Sequence, residues 1–114
     1  MIITKQFFPV DVDDTLVCWD RSRFSPEKRT EMRHAGYTTD LVPHQPNINT
    51  LIKFAKLGYH VHVWSATGYE WAAAVVKHLG IQEYVHSYSD KPKFYMDDKD
   101  CEEWMGERVY RDPS

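Results

Sequence analysis

The feature that most constrains the fold is a regular alternation of helix-like and strand-like segments in the middle of the chain. Asn47 can cap a helix whose apolar residues recur at helical spacing, and Gly58 lies where that helix should end. Residues 59–65 then alternate as a strand does, and residues 69–79 carry a second apolar helical stripe that stops at Gly80. Strands joined through helices pair in parallel, so the pattern predicts an α/β fold with a mainly parallel sheet.

The remaining segments extend this pattern at both ends. Residues 7–12 are aromatic and β-branched, which predicts a first strand. Further strands are expected over residues 81–87 and 93–96. A short closing helix is expected within residues 99–108, with Trp104 packed into the core.

Residues 18–45 are the least regular part of the sequence. They predict a long excursion with one helical turn around residues 26–33. Basic and aromatic side chains are frequent here, although the whole chain has a formal net charge of −3. We expect this segment to be a flap near the active site that faces a phosphorylated substrate, and a solvated surface loop is the plainer alternative.

The length of 114 residues predicts a single domain, residues 1–114, without room for a separate lid. Hydrophobic residues make up 42% and charged residues 27%, which excludes a disordered chain. The sequence pI near 6.0 excludes a surface that is basic all over. No apolar run approaches the roughly 20 residues that span a bilayer, so we expect a cytoplasmic protein with no membrane partner. Cys18 and Cys101 are expected to be free thiols.

Acids and a hydroxyl group follow three of the predicted strands directly. Asp11 and Asp13 end the first strand, Ser65 ends the second, and Asp97 and Asp98 end the last. The carboxyl ends of parallel strands meet at one edge of a sheet, so these groups should converge. Carboxylates that repel one another need a cation, and hard oxygen ligands favour Mg²⁺. The residues therefore predict a magnesium site.

Together with a lysine, Lys91, these three strand ends resemble the four motifs of the haloacid dehalogenase (HAD) superfamily of aspartyl-phosphate phosphohydrolases. The family's DxDx[TV] strand end is matched by residues 11–15, with Asp14 where the family usually has glycine. Its Ser or Thr, its Lys and its paired acids are matched, in the family order, by Ser65, Lys91 and Asp97-Asp98. The resemblance covers residues 7–98. It implies a Rossmann-like three-layer fold, with a small mainly parallel sheet flanked by helices and no separate cap domain.

The resemblance also implies a Mg²⁺-dependent phosphatase that cleaves a phosphomonoester through an aspartyl-phosphate. It makes Asp11 the nucleophile and Asp13 the general acid and base. It implies that Ser65, the N–H of Ala66 and Lys91 bind the phosphoryl group, with Lys93 competing for the lysine role. The implied metal ligands are Asp11, the backbone carbonyl of Asp13, and Asp97, with Asp98 either as a further ligand or as a group that orients Asp97.

The substrate stays open between two classes at this point. A phosphorylated small molecule or nucleotide is the first, and the 3′-phosphate end of a polynucleotide is the second, because an open site admits a large substrate. A homo-oligomer could also cover the open site. A catalytically silent HAD-like module that binds a partner is the alternative outside the enzyme class.

Overall fold

The computed structural model describes residues 6–20 and 24–112. Arg21 and Arg23 of the expected flap lie outside the described residues. The strands are β1 (Phe7–Asp11), β2 (Val17–Cys18), β3 (Thr30–His34), β4 (Tyr37–Pro43), β5 (His60–Ser65) and β6 (Ser87–Asp90). The α-helices are α1 (Gln45–Lys56), α2 (Tyr69–Leu79) and α3 (Cys101–Trp104), and short 3₁₀ turns cover Pro26–Lys28 and Gln82–Tyr84.

A parallel sheet of three strands, in the order β1-β5-β6, forms the centre of this α/β fold. Asp11 lies opposite Trp64, and Ser65 lies opposite Asp90, so the three strands end at one edge. Val61 and Val63 of β5 are fully buried, because their face of the sheet receives both α1 and α2. The hydrophobic core lies between this face of the sheet and the two helices.

The opposite face of the parallel sheet is not covered by a helix among the described residues, which differs from the three-layer expectation. His60 and His62 lie on this face because side chains alternate along β5. Both imidazoles are within hydrogen-bond distance of the Ser87 hydroxyl, at 2.7 and 2.6 Å. Polar contacts therefore join β5 and β6 on this side, and the Phe7 ring packs against both imidazoles.

The two long helices, α1 and α2, agree well with the sequence prediction. Helix α2 has the predicted bounds, and Gly80 ends it in the left-handed conformation with φ at 70°. Helix α1 begins slightly earlier than expected, because His44, not Asn47, is its N-cap, with Nδ1 accepting a hydrogen bond from Asn47 N. Asn47 is buried and bonds elsewhere: its side-chain amide donates to Thr15 O at 2.9 Å.

The prediction of an irregular excursion over residues 18–45 is wrong for the described part. Strands β2, β4 and β3 form an antiparallel sheet in that order, and the expected helical turn is only the 3₁₀ turn Pro26–Lys28. Polar and charged residues on the outer face hide the strand pattern, whereas Met32 and Leu41 point inward and are buried. Thr30 Oγ1 lies 2.7 Å from His78 Nε2 of α2, which holds this sheet beside the parallel one.

The predictions for the C-terminal third are also corrected. The third strand is β6, later than residues 81–87, because a 3₁₀ turn occupies Gln82–Tyr84. Residues 93–96 do not form a strand, and every residue from 91 to 100 is exposed. The closing helix is only α3, and Trp104 is 48% exposed instead of packed in the core. Apolar composition alone misled the prediction here, since a run as short as 93–96 is equally compatible with a surface segment.

Two smaller expectations can be compared with the structure. Cys18 and Cys101 are thiols that form no disulfide, as expected. Among residues 6–20 and 24–112, no helix is long and apolar enough to cross a membrane.

The buried N-cap His44 leads to a prediction about stability and pH. Burial lowers the pKa of His44. Smaller effects oppose this shift: hydrogen bonds to the backbone of His44 and Arg111, and then the Asp112 charge. The unfolded chain then binds a proton more readily than the folded one, so stability should fall as pH drops through about 6.5, the ordinary His value. Protonation of Nδ1 would also remove the acceptor that caps α1.

Urea unfolding at pH 7.5 and 5.5 measures this effect. The wild type should be less stable at pH 5.5, and His44→Asn, which keeps a capping oxygen, should depend less on pH. Part of the dependence should remain, because burial, and secondarily His60, also lower the pKa of His62. An unchanged pH dependence in His44→Asn would contradict the assignment to His44.

Candidate active site

The site lies at the carboxyl edge of the parallel sheet, where the chain leaves β1 through a tight turn. Val12 O accepts hydrogen bonds from the backbone N–H of both Thr15 and Leu16, at 3.1 and 2.8 Å. Val12 and Leu16 are fully buried and fix the turn to the core. Asp14 has φ of 60°, a left-handed conformation that Asp adopts more readily than most residues, which explains how it stands at the family's glycine position. The turn places Asp13 above the sheet edge.

Asp11 is contacted by groups from two directions. Lys91 Nζ lies 3.8 Å from Asp11 Oδ1, and Thr15 Oγ1 donates a long hydrogen bond of 3.4 Å to Oδ2. The Asp11 side chain retains 30% exposure, so solvent and a ligand can reach it. Of the two lysines considered from the sequence, the structure brings Lys91 to Asp11, whereas Lys93 lies on the exposed segment.

Asp13 receives hydrogen bonds from three side chains. The indole Nε1–H groups of Trp19 and Trp71 both donate to Oδ1, at 2.9 and 3.1 Å. Ser65 Oγ donates to Oδ2 at 3.4 Å. Neither tryptophan belongs to the four motifs, so motif reasoning misses both as site residues. No spacing rule links an indole after β2 to a helix residue 52 positions later, so only the tertiary structure reveals this contact.

Ser65 is completely buried at the end of β5. Its Oγ accepts a hydrogen bond from Thr67 N at 3.0 Å, and its carbonyl accepts one from Lys91 N at 2.9 Å. The second bond fixes the start of the segment that carries the Lys91 side chain. Ala66 follows in the exposed loop that leads to α2. The serine therefore connects the lysine, the loop and Asp13.

Asp90 is a site residue that sequence reasoning missed. It ends β6, and its Oδ1 accepts a hydrogen bond of 2.7 Å from Tyr69 N at the first turn of α2. An anion is favoured at a helix N-terminus, and this carboxylate already satisfies one of the N–H groups there. A phosphoryl group bound beside Ser65 would share this end of the helix with Asp90.

Asp97 and Asp98 are not brought to this edge in the structure. Both are exposed, and Asp97 Oδ1 accepts a hydrogen bond from the nearby Lys99 N at 3.0 Å. Within the described part of the chain, no group of three or more His, Cys, Asp or Glu side chains is arranged to hold a metal ion. In the part of the chain that the structure describes, Asp11 and Asp13 therefore follow β1 without a third such side chain arranged beside them to hold a metal ion.

The C-terminal segment returns to the turn that carries Asp13. Tyr110 Oη donates a hydrogen bond to Asp14 O at 3.1 Å, and Arg111 N donates to Asn47 Oδ1 at 2.8 Å. Asn47 in turn holds Thr15 O. Residues distant in sequence thus brace the turn from its outer side.

Comparison with protein-family models, curated proteins and solved structures finds no match to this chain. Membership of the HAD superfamily accordingly remains a resemblance carried by the motifs. Independently of that resemblance, Asp11, Asp13, Ser65 and Lys91 lie together at one edge of the sheet.

Proposed function

We propose that the protein is a HAD-like phosphatase that hydrolyses a phosphomonoester through an aspartyl-phosphate on Asp11. The observation that supports this most is the meeting of Asp11, Asp13, Ser65 and Lys91 at one sheet edge. They come from three separate segments, and each matches a motif of the resemblance. In this proposal the finer fold class is the HAD-like Rossmann fold without a cap domain, in a cytoplasmic protein.

The first chemical step transfers the phosphoryl group to Asp11. A carboxylate oxygen of Asp11 bonds to phosphorus as the bond between phosphorus and the leaving oxygen breaks. The Lys91 ammonium offsets the negative charge of the phosphoryl oxygens, and the Ser65 hydroxyl and the Ala66 N–H donate hydrogen bonds to them. Protonated Asp13 gives its proton to the leaving oxygen, which departs as an alcohol.

The second step returns the enzyme to its starting state. Asp13, now a carboxylate, takes a proton from a water molecule as the water oxygen bonds to phosphorus. The bond between phosphorus and the Asp11 oxygen breaks, which releases inorganic phosphate and regenerates both carboxyl groups. Asp11 thus acts as the nucleophile in this proposal, and Asp13 acts first as the general acid and then as the general base.

The direct test is a panel of phosphomonoesters assayed for phosphate release with pure protein in the presence of Mg²⁺. We expect turnover of at least one sugar, nucleotide or aryl phosphate. Absence of activity on the whole panel, together with no Mg²⁺ binding by calorimetry, would contradict the proposal and favour the silent binding module.

A polynucleotide end is the second candidate substrate because of one observation. Trp19 is 38% exposed and stacks on Trp71, with ring centroids 6.2 Å apart, directly beside Asp13. Exposed indole faces are platforms on which unpaired bases stack. A 3′-phosphorylated oligonucleotide that is hydrolysed with a much higher kcat/KM than the matching nucleoside 3′-phosphate would establish this substrate class.

The two lysines provide a matched pair of variants. Lys91→Met should lower kcat by about 10²-fold, because it removes the cation next to Asp11 and the phosphoryl oxygens. Lys93→Met removes the same charge from the exposed segment and should change kcat less than about twofold. Steady-state kinetics on the best panel substrate measures both, and a larger loss in Lys93→Met would reverse the assignment.

Magnesium is the cofactor we propose from the resemblance, and no chemical step is assigned to it. The exposed segment is long enough to bring Asp97 to Asp11: residues 91–97 can span roughly 23 Å, whereas β1 and β6 are about 10 Å apart. We expect EDTA to abolish turnover and Asp97→Asn to raise the half-saturating Mg²⁺ concentration by about tenfold or more. Glu102→Gln, on the exposed surface of α3, is the control. Turnover that resists EDTA would contradict this part of the proposal.

A further inference from the structure

We propose that Trp19 and Trp71 are positioning residues for Asp13, which fix its Oδ1 so that only Oδ2 exchanges protons with the leaving group and water. This inference rests on the proposed function, because it concerns the general acid and base of that reaction. Neither tryptophan is part of the four motifs.

The hydrogen-bond geometry determines which oxygen is available. Both indole N–H groups donate to Oδ1, at 2.9 Å from Trp19 and 3.1 Å from Trp71. A carboxylate oxygen has two lone pairs, so two donors saturate Oδ1. Oδ2 has only the 3.4 Å contact with Ser65 Oγ and keeps capacity for a proton. Oδ2 is therefore the oxygen left open to a further partner, next to the serine that would bind the phosphoryl group.

The two indoles are themselves held in place by packing. Their rings stack at 6.2 Å with an interplanar angle of 22°, and His34 of β3 contacts the Trp71 ring at 5.5 Å. Trp71 is only 9% exposed within α2. The backbone N–H of Trp19 also donates to Asp14 Oδ1 at 3.1 Å, which ties this residue to the turn that carries Asp13. A packed helix and a neighbouring strand end thus hold one carboxylate from two sides.

We call the two indole donors of Trp19 and Trp71 on Asp13 Oδ1 the clamp. It matters because general acid-base catalysis depends on which carboxyl oxygen faces the group that exchanges the proton. A free carboxyl group presents either oxygen to the substrate and rotates between the two arrangements. Holding one oxygen removes that freedom before the substrate binds, so less order has to be created in the transition state.

Indole N–H resonances test the clamp without any activity measurement. The chain has four tryptophans, so the ¹H–¹⁵N spectrum offers two reporters, Trp19 and Trp71, and two internal controls, Trp64 and Trp104. Asp13→Ala should move the Nε1–H signals of Trp19 and Trp71 upfield and leave those of Trp64 and Trp104 in place. Trp→Phe variants assign each signal. Unmoved signals of Trp19 and Trp71 would overturn the clamp.

Kinetics tests whether the clamp serves catalysis. Trp71→Phe and Trp19→Phe should each lower kcat by roughly 10- to 100-fold with little change in KM, and Trp104→Phe should leave both unchanged. Applied to Asp13→Ala, Trp71→Phe should cause no further loss, because its effect passes through Asp13. A further loss of the same size would show a merely structural role and overturn the inference.

The two experiments separate failure of the inference from failure of the proposed function. If the wild type hydrolyses the panel and the Trp→Phe variants keep full kcat, the inference is wrong and the phosphatase stands. If the wild type is inactive on the panel while the indole signals respond to Asp13, the clamp exists but its catalytic role fails with the proposed function.

Discussion

Asp11→Asn should reduce turnover by at least about 10⁴-fold, because an amide cannot form the phosphoryl intermediate. The fold should survive. The Asp11 side chain is 30% exposed, and its 3.8 Å contact with the 45% exposed Lys91 is a partly screened pair worth about 0–1 kcal/mol. Phosphate release from the best panel substrate, measured together with the urea midpoint, checks both expectations.

Glu83→Gln is a suitable control, since it removes a carboxylate from an exposed 3₁₀ turn away from the sheet edge. It should keep full activity. Metal-dependent phosphate release that persists in pure Asp11→Asn protein would show that Asp11 is not the nucleophile.

Asp13→Asn should lower kcat by about 10²- to 10⁴-fold, because the amide neither donates nor accepts the proton of the reaction. The amide oxygen can still accept both indole N–H groups, so the clamp and the fold should remain. The loss should depend on the leaving group. An aryl phosphate releases a weakly basic phenolate that needs little protonation, so its first step should suffer less than that of an alkyl phosphate.

Rapid-quench measurement of leaving-group release with p-nitrophenyl phosphate and with an alkyl phosphate distinguishes these steps. In Asp13→Asn we expect a burst of p-nitrophenol followed by slow turnover, and no burst with the alkyl substrate. Equal impairment of both first steps would contradict a general acid role for Asp13.

The part of the site that the sequence predicts well is the part built from local patterns. The strands that end at Asp11 and Ser65 carry their own alternation or apolar run, and α2 carries a complete helical stripe. Parallel strands have their carboxyl ends together, so convergence of these two residues follows from topology alone. The contact between Lys91 and Asp11 also agrees with the lysine preferred from the motif.

The part that the sequence does not predict depends on contacts between distant residues. The donors Trp19 and Trp71 approach Asp13 only because the antiparallel sheet, which polar outer residues conceal, packs against α2. Asp90 reaches the N–H of Tyr69 at the start of α2 because β6 follows a 3₁₀ turn and ends later than predicted. No periodicity or spacing in these segments contains that information.

The C-terminal segment shows the limit of motif reasoning in a different way. Asp97 and Asp98 match the paired acids of the family, yet an exposed segment carries them, and the described carboxylates do not assemble into a metal site. A motif identifies residue types in order along the chain. It does not supply the strand pairing that would bring those residues to Asp11.

The central claim is that a phosphoryl group becomes covalently attached to Asp11, and trapping that intermediate tests it most directly. Asp13→Asn, mixed with p-nitrophenyl phosphate and quenched in acid, should accumulate the intermediate because its hydrolysis lacks the general base. Mass spectrometry should then find one phosphoryl group on the peptide that contains Asp11, and none when Asp11→Asn is added to the variant. Phosphate release by the wild type without a phosphoryl adduct on Asp11 at any quench time would contradict the account.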